Sequence, residues 1–300
     1  MDIKKLLKKG CKTLAPLAGY SDVAFRRLCA EFGADLTVTE MVSVAGLNYK
    51  STKTNALMRT TDAERVKCVQ LFGSDPELFR RATEHHEVAH FDILDVNMGC
   101  PVRKVFGHGE GSALLLDPPR AAAIVRALKT SGKPVTVKMR LGVTDKSGAV
   151  DFAKAIEDAG ADLITVHGRT REQLYSGEAD WDEIRKVAAA VSIPVLGNGD
   201  VDETNIAERM DGVYGVALGR GAVANPQIFA GERKLTRYEL ILRHLSYGEE
   251  YFGERYIFTS LRSFIPFYLK GVPDIKRIRN AAMICKDKNR LLEILKEADF

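Results

Sequence analysis

The run "VTVKMRL", Val135 to Leu141, decides the reading of this chain. Alternation along an extended strand sends Val135, Val137, Met139 and Leu141 to one face and Thr136, Lys138 and Arg140 to the other. The apolar face needs a cover of helices. The polar face then points Lys138 and Arg140 into the top of a barrel. An unpaired lysine is costly there, so it calls for an anion or a polar ligand, or else for an internal ion pair with Asp95 or Asp200.

Seven further short apolar runs flank this one. They read "KTLAPLAG", "LTVTEM", "KCVQLF", "DILDVNM", "LITVHG", "IPVLGNG" and "GVALGRG". Between them the spacing predicts helices over Asp22–Phe32, Asp75–His86, Pro118–Thr130, Ser147–Ala159 and Asp180–Ala190. Most open on Asp, Ser or Pro, and several close near Gly, as helix caps do. Strands alternating with amphipathic helices give a parallel sheet covered by helices. Eight of them favour an α/β fold of the closed (β/α)8 TIM-barrel type over roughly residues 10–230. An open doubly wound sheet is the runner-up. It lacks support because no GxGxxG follows the first strand. The cluster "GHGEGSA", Gly107–Ala113, lacks the Lys–Ser/Thr pair of a phosphate loop.

Past Gly231 the alternation stops. Three helical units follow, "YELILRHLSYGEEYFG", "YIFTSLRSFIPFYLKG" and "IKRIRNAAMICKDKNRLLEILKEA". From Leu235 onward there are 12 Lys or Arg against 9 Asp or Glu, so most of the net charge of +4 falls here. The expected division is a catalytic barrel over 1–231 and a small C-terminal all-helical domain over 232–300. The five cysteines are widely spaced and form no CxxC pair, which leaves a metal site without support and fits a reduced, cytoplasmic protein. No apolar run is long enough for a membrane span. The oligomeric state is left open, with a monomer the default.

Barrel chemistry gathers at the C-terminal ends of the strands. There the sequence places Pro16, Leu17 and Ala18; Gln70; Asn97 and Cys100; Lys138; His167 and Arg169; Asn198, Gly199 and Asp200; Gly219 and Arg220. Glycines after the seventh and eighth strands let backbone N–H groups approach a phosphate, and Arg220 adds a charge-assisted bond. The amide of Gln70 offers a donor and an acceptor to a planar ring. His167 titrates near neutral pH and, when charged, donates from both nitrogens. A cofactor with a phosphate tail and a polar ring fits, flavin mononucleotide (FMN) among them. A pyridoxal phosphate enzyme or a sugar-phosphate lyase using Lys138 competes. Cys68, in mid-strand without a glycine–proline corner, reads as core.

At this point the motifs carry a resemblance. "LAPLAGYSDVAFRRL", "DVNMGCPVRKV" with "GEGSALL", "VTVKMRLG", "ITVHGRTREQLYSGEADW", "IPVLGNGDV" and "GVALGRGAVANPQIF" resemble, in order and over nearly the whole length, the tRNA-dihydrouridine synthases of bacterial type. The resemblance implies FMN-dependent reduction of the C5–C6 double bond of particular uridines in tRNA, with NADPH as electron source. It implies Cys100 as the acid that protonates C5. Pro16 to Ala18, Gln70, Lys138, His167, Asn198 to Asp200, Gly219 and Arg220 become the flavin-binding set, and Asn97 lies between flavin and uracil. Arg169 becomes a contact to tRNA phosphate or uracil. Lys276, Arg277 and Arg279 form a basic patch for tRNA on the helical domain. A small-molecule flavin oxidoreductase of the dihydroorotate dehydrogenase type is the alternative, and a non-catalytic RNA-binding protein is a third reading. The basic tail speaks against the second. The joint presence of Cys100, Lys138 and His167 speaks against the third.

Overall fold

The computed structural model describes residues 2–49, 51–273 and 275–297. Eight parallel strands close into a barrel in sequence order. They are β1 (Cys11–Leu14), β2 (Leu36–Ser43), β3 (Lys67–Phe72), β4 (Ile93–Met98), β5 (Val135–Arg140), β6 (Leu163–His167), β7 (Val195–Asn198) and β8 (Gly215–Leu218). All eight expected strands are present. β1 is shorter than its run, because the chain leaves the sheet at Ala15 to form the Pro16–Gly19 turn.

Alternation sorts the side chains. Val135, Val137 and Met139 of β5 and Leu94, Val96 and Met98 of β4 face outward into the main core under the helices. The inward positions are graded along the barrel axis. At the N-terminal end Cys11, Leu36, Cys68, Ile93, Leu163 and Leu196 form an apolar floor. Above it come buried Thr13, Gln70, Asp95, Thr136 and Thr165, and at the top Asn97, His167 and Asn198. Polarity therefore rises toward the end where the loops converge.

The helices start as their caps require. Asp22, Asp75, Asp117 and Asp180 each accept a backbone N–H in the first turn, opening Val23–Glu31, Pro76–Ala82, Pro118–Lys129 and Trp181–Ala190. The span expected to run to His86 stops at Ala82, and a separate turn, His86–Ala89, follows.

After β8 the chain is helical to the end of the described residues. Arg237–Phe252 opens with a capping box of Thr236 and Glu239. A π-type turn, Ile257–Leu261, leads into Arg262–Tyr268. The last unit, expected as one helix, is two: Ile275–Ile284 and Lys288–Lys296. Asp287 explains the break, since its carboxylate caps Arg290 N–H and starts a new helix. This region is packed onto the barrel helix Val23–Glu31. Arg27 pairs with Glu250 at 2.8 Å, and its guanidinium lies 4.0 Å over the Tyr247 ring. A buried chain runs from Tyr268 through His244 to Tyr256 and then Asp22, with links of 3.0, 2.9 and 2.8 Å. The aromatic residues of this region are thus largely core: Tyr256, Phe264 and Tyr268 are buried.

Candidate active site

The graded interior opens into a cavity of about 950 Å³ at the C-terminal ends of the strands. Every residue expected to hold the cofactor lines it, as do Asn97 and Cys100. Phe267 reaches the same cavity from the helical region. A second cavity of about 790 Å³ lies between the β7 and β8 loops and the helical region, sharing Asp200, Val201, Arg220, Gly221 and Phe267 with the first.

Lys138 and Asn198 stand on the wall, with the lysine Nζ donating to Asn198 Oδ1 at 3.1 Å. Asn198 is held in turn by donating to the Ala217 carbonyl at 2.7 Å. Removal from water, followed by the charge of Arg140, lowers the Lys138 pKa to about 8. Neither Asp95 nor Asp200 forms an ion pair with it, so the internal pair weighed above is absent among the described residues.

Burial, then the charges of Lys138, Arg140, Arg169 and Arg220, push the His167 pKa down. The ring is therefore neutral at pH 7 and does not titrate near neutrality, although the residue type alone suggests that it would. Arg169 Nη1 approaches His167 Nε2 at 3.4 Å, and an arginine has nothing to accept with. Nε2 is thus the acceptor, and Nδ1 carries the single proton.

Arg169, expected as a contact to tRNA or uracil, braces Asp200 and does not face the cavity. It is 1% exposed and absent from the cavity wall. Its donors are spent on Asp200 at 2.6 and 3.0 Å and on the carbonyls of Ser176 and Gly177 at 3.1 and 2.6 Å. It holds Asp200 in place, and Asp200 in turn accepts from Arg220 at 3.1 Å. Asp200 carries φ 51°, a strained value for a residue with a side chain. Arg140 is likewise a strut. It donates to the carbonyls of Gly99, Thr170 and Leu174 at 2.9, 2.8 and 2.9 Å, tying the β4 loop to the β6 loop.

Cys100 sits at the mouth, half-buried. Burial pushes its thiol pKa up. Its backbone N–H and that of Gly99 both donate to Asn97 Oδ1, at 2.9 and 3.2 Å. Its carbonyl accepts from Ser112 Oγ at 2.8 Å and Ser112 N–H at 3.2 Å. Gly111, at φ +61°, fits against this peptide, since a Cβ there would lie 2.9 Å from Cys100 Cβ. Asn97 Nδ2 donates to Gln70 Oε1 at 2.8 Å. Asn97 thus lines the cavity with its amide engaged at both ends, which makes it a brace and not a free substrate contact.

Cys68 is buried in β3, as expected of a core thiol. Lys276, Arg277 and Arg279 are exposed on Ile275–Ile284 and do not line the cavity. Arg103 reaches the cavity wall, whereas Lys104 does not. Two residues of the wall carried no signal of their own. Tyr175 is half-exposed, with the Arg220 guanidinium 4.9 Å from its ring centre. Arg171 lies 3.9 Å over the Phe106 ring. Both sit in the irregular loop after β6, where no periodicity marks a facing direction. Among the described residues no cluster of His, Cys, Asp and Glu is arranged to hold a metal, and no helix is long and apolar enough to cross a membrane.

Solved structures of similar shape include a histamine dehydrogenase from a Rhizobium species, with a TM-score of 0.57 and 14% identity over 76% of this chain and 46% of that one. Another is a morphinone reductase variant in complex with tetrahydroNAD, with a TM-score of 0.53 and 14% identity over 73% and 85%. At such identity the likeness shows the barrel fold alone. Sequence relatives are nearer. A probable tRNA-dihydrouridine synthase of Rickettsia conorii is 38% identical, covering 95% of this chain and 92% of its own length. One from Aquifex aeolicus is 34% identical, covering 97% and 96%. The tRNA-dihydrouridine synthase B of Proteus vulgaris is 33% identical, covering 100% and 98%. The family model described as dihydrouridine synthase (Dus) matches residues 13–300. With a barrel, a lysine-walled cavity and a braced cysteine at its mouth, the chain belongs to the dihydrouridine synthase family.

Proposed function

We propose that this protein is an FMN-dependent tRNA-dihydrouridine synthase that reduces the C5–C6 double bond of particular uridines in tRNA with NADPH as reductant. The observation that carries this reading is the Cys100 thiol, fixed by its peptide's hydrogen bonds to Asn97 and Ser112 at the mouth of a cavity whose wall holds Lys138 and Gln70.

The wall fits FMN. A cavity of about 950 Å³ is of ligand-holding size. Lys138 and Arg220 supply two cations, and only Arg220 is engaged by a carboxylate. Gln70, after one bond to Asp95 and one from Asn97, keeps one N–H and one lone pair for a planar ring. The Arg220–Ala224 turn starts at Gly219, so its first N–H groups have no acceptor within the turn and suit a phosphate. Pro16, Leu17, Ala18, His167, Asn198, Gly199 and Asp200 complete the binding set.

When bound, FMN supplies the hydride that uridine receives. The protein's own residues do the rest. Reaching the cavity requires the uridine to leave its stack, at a cost of a few kcal/mol. Cys100 holds the proton destined for C5. A thiol raised above its ordinary pKa keeps that proton at pH 7, as an acid must and a nucleophile must not. Lys138 would supply a cation to stabilise negative charge on the bound flavin. Residues 1–231 form the catalytic part. We assign residues 232–300, with Lys276, Arg277 and Arg279, to holding tRNA by its phosphates. A cytoplasmic location follows from that substrate.

The test is a Cys100→Ala variant. It is expected to bind FMN and oxidise NADPH at the rate of the unaltered protein, and to lose uridine reduction by at least about a hundredfold, the scale of a general acid. Normal tRNA reduction by that variant would remove Cys100 from the chemistry. A colourless protein that takes up no added FMN would overturn the reading altogether.

A further inference from the structure

Asp95 takes no part in the proposed chemistry, yet a carboxylate held inside the barrel carries a cost. It is 4% exposed, in the middle of the interior, and no cation lies within ion-pair distance of it among the described residues. Burial, only partly offset by its hydrogen bonds and by the more distant Lys138, raises its pKa to about 6. A plain core needs no such group, and locally expensive residues concentrate where function requires them.

The sheet register shows what surrounds it. Gln70 of β3 pairs with Asp95 of β4, and Asp95 pairs with Thr136 of β5. Three inward side chains therefore lie at one level. Thr136 Oγ1 donates to Asp95 Oδ1 at 2.6 Å, and Gln70 Nε2 donates to Asp95 Oδ2 at 2.7 Å. One level higher, Gln70 Oε1 accepts from Asn97 Nδ2, and Asn97 Oδ1 accepts from the N–H groups of Gly99 and Cys100. The result is one continuous chain, from Thr136 through Asp95, Gln70 and Asn97 to the Cys100 peptide.

This chain has a fixed sense. Its upper end consists of two backbone N–H groups, which only donate. Asn97 must therefore turn its oxygen up and its NH2 toward Gln70. Gln70 must turn its oxygen to Asn97 and its NH2 down. The chain then needs an acceptor below Gln70, and a carboxylate is the one side chain that accepts at both oxygens. Were Gln70 to turn over, its NH2 would face the NH2 of Asn97. Were Asn97 to follow, its NH2 would face the two backbone N–H groups, and the Cys100 peptide would be driven from its seat.

We propose that Asp95 is a positioning residue for the reaction, fixing through Gln70 and Asn97 both the amide edge offered to the flavin ring and the seat of Cys100. The proposal rests on Cys100 being the proton donor of the proposed function. Asp95 touches neither substrate nor cofactor, and its effect is transmitted wholly by the acceptor it presents to Gln70. Ser112, holding the opposite side of the same peptide, is why the seat loosens and does not collapse when the chain is broken.

The test uses the full-length FMN-loaded protein and four variants: Asp95→Leu, Asp95→Asn, Asn97→Ala and the double Asp95→Leu/Asn97→Ala. The first readout is the alkylation rate of Cys100 by iodoacetamide, resolved by peptide mapping, with the partly exposed Cys285 as internal reference. The second is uridine reduction in a single turnover of pre-reduced enzyme with tRNA. Asp95→Leu is expected to raise Cys100 alkylation about fivefold and slow uridine reduction about tenfold, with KM for tRNA within about twofold, the size of one lost charge-assisted bond. Asp95→Asn retains an acceptor oxygen for Gln70 and is expected to restore both. The double variant is expected to be no worse than Asn97→Ala, because both changes break one chain.

Unchanged Cys100 alkylation in Asp95→Leu would overturn the proposal. So would equal defects in the Leu and Asn variants, or effects that multiply in the double variant. If Asp95→Leu does not fold, Thr136→Val, which removes the donor at the foot of the chain, is expected to shift Cys100 alkylation in the same direction by about twofold, and no shift there counts against the proposal. If the unaltered enzyme reduces no uridine in any tRNA, the functional reading fails, while the alkylation cycle still decides the role of Asp95.

Discussion

Lys138 offers a prediction in which binding and stability oppose each other. In the flavin-free protein its pKa is lowered from 10.5 to about 8, first by removal from water and then by Arg140. An unfolded chain keeps its lysine protonated up to about pH 10.4. Between about pH 8 and 10.5 the unfolded state therefore binds the extra proton, and stability rises with pH across that window. The shift of about 2.5 units from 10.5 to about 8 sets a ceiling of about 3.4 kcal/mol at 1.36 kcal/mol per unit. Lys138 keeps contact with solvent through the cavity, which reduces the expected effect to about 2 kcal/mol. The perturbation is Lys138→Met, which keeps the stem and removes the charge. The assay is urea unfolding of the flavin-free wild type and variant from pH 7 to pH 11. The wild type is expected to gain about 2 kcal/mol relative to the variant over that range. FMN titrated at pH 7 should bind the variant about 10- to 100-fold more weakly, the loss of one charge-assisted contact. Parallel stability curves would show that Lys138 is not held at a cost, and equal FMN affinities would show that the cost does not serve the cofactor.

Arg169→Met should lower stability by about 2–3 kcal/mol in urea unfolding, below the usual range for breaking a buried pair because Asp200 keeps Arg220 and remains one-third exposed. The same variant should raise the Asp200 pKa, since burial pulls it up and the Arg169 bonds are the largest of the contacts, with the Ala179 N–H and Arg220, that pull it down. Replacing Lys276, Arg277 and Arg279 together with Ala should weaken tRNA binding and flatten its logarithmic salt dependence by about two to three, while the rate of NADPH oxidation stays unchanged. A salt slope equal to that of the wild type would place the tRNA elsewhere on the surface.

What the sequence discloses and what it hides divide along one physical line. Strand alternation, helix caps and residues at strand ends are local properties, so the eight strands and the cavity wall are readable from Cys11 to Arg220 without coordinates. Partnership across the chain is not local. Arg169 stands beside a strand-end histidine and reads as a ligand contact, yet its carboxylate lies 31 positions away on the β7 loop. His167 reads as a titrating switch, yet burial, followed by the charges of Lys138, Arg140, Arg169 and Arg220, keeps it neutral. Asn97 reads as a substrate contact, but Gln70, 27 positions earlier on β3, accepts from its amide N–H. The break at Cys285–Asp287 is the reverse case. Asp287 is a local cap signal inside an apparently continuous amphipathic run, and the cap prevails over the periodicity.

The barrel interior also explains why its two costly charges are kept apart. Lys138 and Asp95 are two levels of one polar column, and each influences the pKa of the other. Joined in an ion pair they would offset much of each other's burial, which is the cheaper arrangement for a core. The chain instead gives Asp95 two neutral donors, Gln70 and Thr136, and gives Lys138 a neutral acceptor, Asn198. Neutral partners hold each charged group in place without cancelling it. The ammonium stays available to an anionic ring above, and the carboxylate stays a pure acceptor for the amide chain that ends at Cys100. An ion pair between them would tie up the ammonium and compete for the carboxylate oxygens that Gln70 and Thr136 occupy, so their separation suits the proposed chemistry.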